Sequence, residues 1–332
     1  MRFSDFDFDL PPTSIAREPI PDRDDARLLV LRRATGEVAH HRMRDLPDLL
    51  EGGDRLVVNN SRVTPSMVEV GGQRIALGQN RATRRWEPLG AAAAVIRPDR
   101  DRVGLSGAAA ALALAPPEVV DRVRHRDGKV TWPRYLAHLE PDEGVEPVPA
   151  FYNTVYARVE GSVAPPSGGL NLSEGTLAAL AAGGVDRSTV THHVGHVTFR
   201  RPADDTLLRD HAMEGERFAI SAATAGEIAA TKAAGGRVVS VGTTSTRALE
   251  YAALHGGLVP GVDRVGVADL FIRPGHEFAV ADGLLTGLHA PKTTLLVLVC
   301  AFGGREAVLE ASRQAVAEGY RWYTLGDSML IL

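Results

Sequence analysis

Residues 235–250 read GGRVVSVGTTSTRALE. Two glycines close a preceding segment, an apolar run of strand length follows, and Gly242 hands the chain to a hydroxyl-rich turn that leads into a helix-forming stretch. Open α/β sheets bind ligands at such strand-to-helix junctions. Polar clusters of the same kind recur in ADLFIRPG from Ala268, HAPKTTLL from His289 and YTLGDSMLIL from Tyr323. The pattern reads as an enzyme of α/β class.

Outward from that stretch, Ser173 caps an expected helix through Ala182, and Ser221 caps another through Ala234 that closes on Gly235 and Gly236. VTHHVGHVTF (190–199) and VADLFI (267–272) read as strands. Pro291 is expected to open an apolar helix, and a further helix from about Arg305 leads into the terminal strand SMLIL. Nearer the start, residues 27–43 read as a β-hairpin and RLVVN (55–59) as a buried strand. From Gly71 the character changes to Ala-rich and Arg-rich stretches punctuated by Gly and Pro, and strand alternation returns only after PVPAFY. The expected organisation is a discontinuous main α/β domain, residues 1–70 and 150–332, interrupted by a smaller β-rich insertion, residues 71–149. The hairpin and VTHHVGHVTF add some antiparallel, α+β character.

At 332 residues with 44% hydrophobic content the chain has enough apolar surface for two cores. The longest wholly apolar run, residues 295–302, is too short to span a bilayer, and the acidic start MRFSDFDFDLPP lacks an export pattern. No membrane is expected as a partner. A single cysteine, Cys300, excludes an internal disulfide and a cysteine metal cage, and cytoplasmic residence is expected. Net charge is −4, yet residues 71–134 hold 12 Lys and Arg against 6 Asp and Glu. The stretches RATRR (81–85), RPDRDR (97–102) and RVRHR (122–126) either follow a phosphate backbone or form a solvated surface.

Arg247 falls in the first turn expected for its helix, where the macrodipole opposes a cation. Either a bound carboxylate or phosphate offsets it, held by free N–H groups and the guanidinium fork, or it pairs with Glu250 three residues on. The loop through Thr243 and Thr244 favours the ligand. Lys292, after Pro291, repeats the pattern: it meets an anion, or it snorkels from a buried helix. Asp269 and Asp327 each orient a cation or a ribose hydroxyl, or cap a turn. On a strand, His192 and His196 face one side and His193 the other, so a metal would need a bulge at Gly195; one of the three as a general acid or base is the stronger reading. Gly168 and Gly169 form a loop that matches no phosphate-binding fingerprint and reads as a site wall.

Nine segments in register now carry a resemblance: PIPDRDDARLLVL, VVNNSRVTP, YNTVYA, THHVGHVTF, DHAMEGERF, GGRVVSVGTTSTRALE, ADLFI, DGLLTGLHAPKTTLL and YRWYTLGDSMLIL. Over residues 6–65 and 152–332 the chain resembles the S-adenosylmethionine:tRNA ribosyltransferase-isomerases of queuosine biosynthesis. The resemblance implies a small β-barrel as the insertion, S-adenosylmethionine as substrate, tRNA as partner and no metal. It also implies the reaction. The ribosyl unit passes to the aminomethyl group of 7-aminomethyl-7-deazaguanine at the tRNA wobble position, giving epoxyqueuosine with loss of adenine and methionine. The sulfonium acidifies the 5′ C–H, so a positioned base generates an ylide that opens the ribose and releases adenine. Attack by the amine and closure to the epoxide expel methionine.

Such a site needs four functions. Arg247 with Thr243 and Thr244 fits the methionine carboxylate, and Glu250 or Asp269 its ammonium; His193 or His289 serves as base or acid, and Lys292 stabilises developing oxyanion charge. Asn60 and Arg62 lie in NNSRV where the family reads NDTRV, and Gly169 and Asn171 in SGGLNL where it reads TAGLHF. Asn60 therefore replaces a carboxylate and Asn171 a histidine. With Asp327, these residues complete the expected pocket. Two other functions fit the same residues: a relative that acts on a small-molecule acceptor, or an inactive nucleoside- or tRNA-binding protein.

Overall fold

The computed structural model describes residues 1–70, 73–79, 85–88, 115–140 and 148–332. Strands β1 (Arg27–Arg32) and β2 (Glu37–Arg42) form the expected hairpin, and α1 (Leu46–Leu49) leads into β3 (Arg55–Asn59). Next come β4 (Ser61–Val63), β5 (Met67–Val70), β6 (Gln73–Gln79), β7 (Trp86–Pro88), α2 (Pro117–Asp127) and β8 (Val159–Ser162). The remainder alternates: α3 (Glu174–Ala182), β9 (Asp186–His192), β10 (Glu216–Ile220), α4 (Ala222–Ala233), β11 (Val238–Val241), α5 (Gly242–Leu254) and β12 (Arg264–Ala268). Then follow β13 (Gly283–Gly287), α6 (Thr294–Gly303), α7 (Arg305–Ala317) and β14 (Ser328–Ile331).

Nine strands make one mixed sheet in the order β12-β10-β9-β3-β11-β13-β14-β1-β2. Every residue of β3, β11, β13 and β14 is buried, the condition for strands covered on both faces. Alternation divides them between cores. Leu28 and Val30 of β1 pack with Leu56 and Val58 under α1 and α3, whereas Leu29 and Leu31 pack with Met329 and Ile331 under α6 and α7. Val57 and Val238 meet Ala248 and Leu249 of α5 in a third core. Each such Val or Leu contributes roughly 1.5–3 kcal/mol by leaving water.

Strand direction places the site. β9, β3, β11 and β13 run parallel in register, so their carboxyl ends share one edge. β10 is antiparallel to β9, and β14 antiparallel to β13, so both start at that edge, while β12 ends there. His192, Asn59, Gly242, Glu216 and Ala268 thereby converge from five separate elements.

The expected helix caps hold: Ser173 accepts the Thr176 N–H and Ser221 the Thr224 N–H. Three elements end elsewhere than expected. The strand expected through Phe199 stops at His192, and Gly195 turns out of the ladder to give its N–H to Glu216. β12 stops at Ala268, whose carbonyl accepts from the Arg247 guanidinium. The apolar helix opens at Thr294, capped by Thr293, because Lys292 adopts a left-handed backbone, φ 58°, incompatible with a helical turn.

In the inserted segment, β5, β6 and β7 form a three-stranded antiparallel sheet with Val68, Ile75, Leu77 and Trp86 packed against Val120 of α2. A closed barrel is not present among the described residues. β5 lies before residue 71 yet pairs with β6, and the parallel pair β4–β8 joins the two ends of the excursion. RPDRDR and all of RATRR but Arg85 lie outside the described residues. RVRHR lies on α2, where Arg122, His125 and Arg126 are exposed. Arg124 is buried over the Trp86 ring, Arg126 pairs with Asp127, and His125 lies 3.4 Å from Glu160.

Candidate active site

At the shared edge, Asn59 ties three strands together. Its Oδ1 accepts from His192 N at 2.9 Å and Ser61 N at 3.0 Å, and its Nδ2 donates to His192 O and to Thr244 Oγ1. Beside it sits a buried ionic cluster. Glu216 Oε2 lies 3.0 Å from Arg247 Nη2 and 2.9 Å from His192 Nε2, and its Oε1 accepts the Gly195 N–H at 2.6 Å. Burial pushes the Glu216 carboxyl up, but Arg247, His192 and Gly195 together outweigh it and hold it below the ordinary value. Burial lowers the His192 imidazole, only partly offset by Glu216, so at neutral pH it is the neutral ring. Arg247 is 8% exposed, and its Nε has no partner.

Two adjoining cavities open at this edge. The smaller, about 280 Å³, is lined by Thr243 and Thr244 at the start of α5, by Arg247 and Glu216, and by Phe271 and Leu298. The helix carries no side-chain cap, so its first-turn N–H groups, beside Thr243 and Thr244 at the cavity, have no side-chain acceptor at the cap. The larger, about 810 Å³, is lined by Trp132, Tyr135, Ser167, His289 and Tyr323. Thr198, Arg200, Arg201, Thr293 and Leu295 line both and form their common wall. The Ser167–Gly169 turn closes against the helix entrance. A Cβ on Gly168 would lie 2.6 Å from Gly242 Cα, and Gly242 itself is left-handed, φ 82°.

Of the residues expected at the site, Thr243, Thr244 and Arg247 meet in the smaller cavity and His289 lines the larger. Arg247 is the sixth residue of α5, in the second turn, and the anion beside it is Glu216 of the same chain. His289 Nε2 lies 2.8 Å from Thr286 Oγ1, and burial pulls its imidazole down to about 4.

The other expected residues are engaged elsewhere. Lys292 is answered by Asp204 at 2.9 Å and Asp7 at 3.1 Å and lines neither cavity, which corrects the expectation of a guest anion there. Glu250 is fully buried and accepts the N–H groups of Ala279, Val280 and Ala281, so it orders that loop rather than facing the cavity. Asp269 is exposed just beyond β12. His193 packs on Gly161 with its Nδ1 2.8 Å from Ser61 Oγ. Asn60 Oδ1 accepts from Thr191, and Arg62 is exposed. Gly169 lies under Tyr156, whose hydroxyl would be 1.7 Å from a Cβ there. Asn171 Nδ2 donates to Gly326 O and Ser328 Oγ, while Asp327 accepts from Arg27 N and Arg321 N. Burial lifts the Asp327 carboxyl despite those two donors. His192, His193 and His196 diverge: His192 turns to Glu216, and His196 Nε2 reaches Leu77 O of β6 at 2.9 Å. Among the described residues no group of three or more His, Cys, Asp or Glu is placed to hold a metal.

Sequence reasoning did not single out Asn59, Glu216, Tyr135 or Tyr323. Glu216 lies within DHAMEGERF, where a carboxylate at the head of an alternating strand was the available signal. Tyr323 carries a left-handed backbone, φ 72°, which nothing in the sequence announces.

Comparison with known proteins shows the family. A family model described as "Queuosine biosynthesis protein" matches residues 3–331. The chain belongs to that family. It is 42% identical to the S-adenosylmethionine:tRNA ribosyltransferase-isomerase of Anaeromyxobacter dehalogenans over 100% of this chain and 99% of the relative. It is 40% identical to the protein of that name from Symbiobacterium thermophilum, with all of both chains covered. The crystal structure of S-adenosylmethionine tRNA ribosyltransferase from Thermotoga maritima superposes with a TM-score of 0.58 at 28% identity, covering 99% of this chain and 100% of that one. Family membership thus extends through the inserted segment, which the sequence motifs had left out.

Proposed function

We propose that this chain transfers and isomerises the ribosyl unit of S-adenosylmethionine onto 7-aminomethyl-7-deazaguanine in tRNA, yielding the epoxyqueuosine nucleoside with release of adenine and methionine. The observation that carries this reading is the pair of adjoining cavities with a common wall, one lined by Arg247 and an uncapped helix start, the other by aromatic rings. A two-substrate transfer needs such neighbours, with the reacting carbon at their junction.

In this reading the first-turn N–H groups at Thr243 and Thr244 and the unpartnered Nε side of Arg247 hold the methionine carboxylate. Glu216 fixes the guanidinium from behind. His289, neutral at pH 7 and lining the acceptor cavity, takes the 5′ proton. Lys292 joins residues 7 and 204 and takes no part in the chemistry. The main domain, residues 1–70 and 150–332, carries the insertion, residues 71–149, whose β6 pairs with β5 and whose Trp132 and Leu136 share a core with Leu170 and Leu325, and the enzyme works in the cytoplasm, where its tRNA is found.

Incubation with S-adenosylmethionine and tRNA carrying 7-aminomethyl-7-deazaguanine should release adenine and methionine in equal amounts and add the ribosyl unit to the tRNA. Adenine release that ignores the tRNA, with the free base modified instead, would identify a small-molecule acceptor. Ligand binding without either product would identify a binding protein.

A further inference from the structure

Tyr323 is one of two non-glycine residues with a left-handed backbone among the described residues, and its ring lines the larger cavity. The surrounding turn over-determines that conformation. Tyr323 N donates to Leu288 O, Gly326 N donates to Tyr323 O, and Asn171 and Asp327 brace the backbone on either side. Tyr135, from the inserted segment, lies 5.0 Å from the Tyr323 ring at 47°, and its hydroxyl is 2.7 Å from Thr324 Oγ1. The two rings pack against each other, one from each part of the chain, and both residues line the larger cavity.

We infer that Tyr323 and Tyr135 form a stacking platform for the acceptor, an unpaired purine-like base presented by an RNA strand. The inference rests on the two-substrate reading above and names the group that fills its second cavity. A backbone strained at a cavity wall persists because its surroundings hold it there, and aromatic rings at that wall suit a nucleobase taken out of its stack. Adenine of the donor shares that chemistry, so donor and acceptor are tested separately.

The test compares the wild type with Tyr323→Gly and Tyr323→Phe by calorimetric titration of free 7-aminomethyl-7-deazaguanine and, separately, S-adenosylmethionine. Glycine suits a left-handed backbone, so the first variant removes the ring without unfolding the turn. Expected is base binding weakened about 10-fold or more in Tyr323→Gly and retained within about 3-fold in Tyr323→Phe, with the donor affinity unchanged in both. Tyr135→Leu should weaken the base in the same direction. Unchanged base binding in Tyr323→Gly, an equal loss for donor and base, or no base binding by the wild type overturns the platform. Base binding lost in Tyr323→Gly, from a wild type that transfers nothing to tRNA, upholds the platform and sinks only the proposed reaction.

Discussion

The carboxylate of Glu216 lies 3.0 Å from Arg247 Nη2 with both side chains buried, and the same oxygen takes the His192 ring at 2.9 Å. A buried pair broken on one side leaves an uncompensated charge, which costs about 3–5 kcal/mol. Glu216→Ala should therefore lower the unfolding free energy by an amount in that range and raise the KM for S-adenosylmethionine, because Arg247 loses its fixed orientation. Urea denaturation and initial-rate kinetics check this. A destabilisation under about 1 kcal/mol would show that the cluster is not a coupled unit.

His289 gives a pH dependence whose sign is fixed by its depressed value. Unfolded, the ring titrates near its ordinary value of 6.5; folded, it does so at about 4. As pH falls through that window the unfolded state binds the proton first, so stability drops between about 6.5 and 4 and levels off below. His192 is lowered in the same direction, so the wild-type slope combines both rings. The stability difference between wild type and His289→Gln should change across that window and stay flat above it. The kcat/KM of the wild type should be level from about pH 5 to 8 on its acid side, since the proposed base is already neutral there.

Much of the α/β frame is legible because its signals are local. Ser173 and Ser221 are read correctly as caps from neighbours three residues away, and the glycine at 242 marks the strand-to-helix junction. The counter-charges are not legible, because they come from folding. Arg247 meets Glu216 only once β10 lies antiparallel to β9 and starts at the edge where α5 begins. Lys292 meets Asp7 across most of the chain length. Neither cation occupies the helical first turn expected for it, since Arg247 is in the second turn of α5 and Lys292 precedes the cap of α6, and nothing local tells a guest anion from a resident carboxylate. Glu250 shows the converse. Its position on the helix is read correctly, while three amides of a loop some thirty residues later claim its oxygens.

Lys292 separates structural from chemical roles. Its ammonium is committed to Asp7 and Asp204, and its backbone sits at φ 58°. Lys292→Gly should keep kcat within a few-fold of wild type and melt above Lys292→Ala, because glycine relieves the left-handed strain and alanine does not. Thermal melts of the two variants side by side decide the order, and a kcat loss of 100-fold or more in both would return Lys292 to the chemistry.

Gly168 offers the sharpest steric test of the donor site. A Cβ there would meet Gly242 Cα at 2.6 Å and Gly242 N at 2.9 Å, both backbone atoms that cannot swing aside. Gly168→Ala must push the Ser167–Gly169 turn away from the start of α5, at an overpacking cost of about 1–3 kcal/mol. The displaced turn widens the helix entrance where Thr243 and Thr244 line the smaller cavity. Affinity for S-adenosylmethionine should fall through the displaced helix start, and affinity for the free acceptor base should fall with it, since Ser167 of the same turn lines the larger cavity beside His289 and Tyr323. Equilibrium titration with each ligand checks this, and an unchanged affinity for S-adenosylmethionine would place the helix entrance outside the donor site.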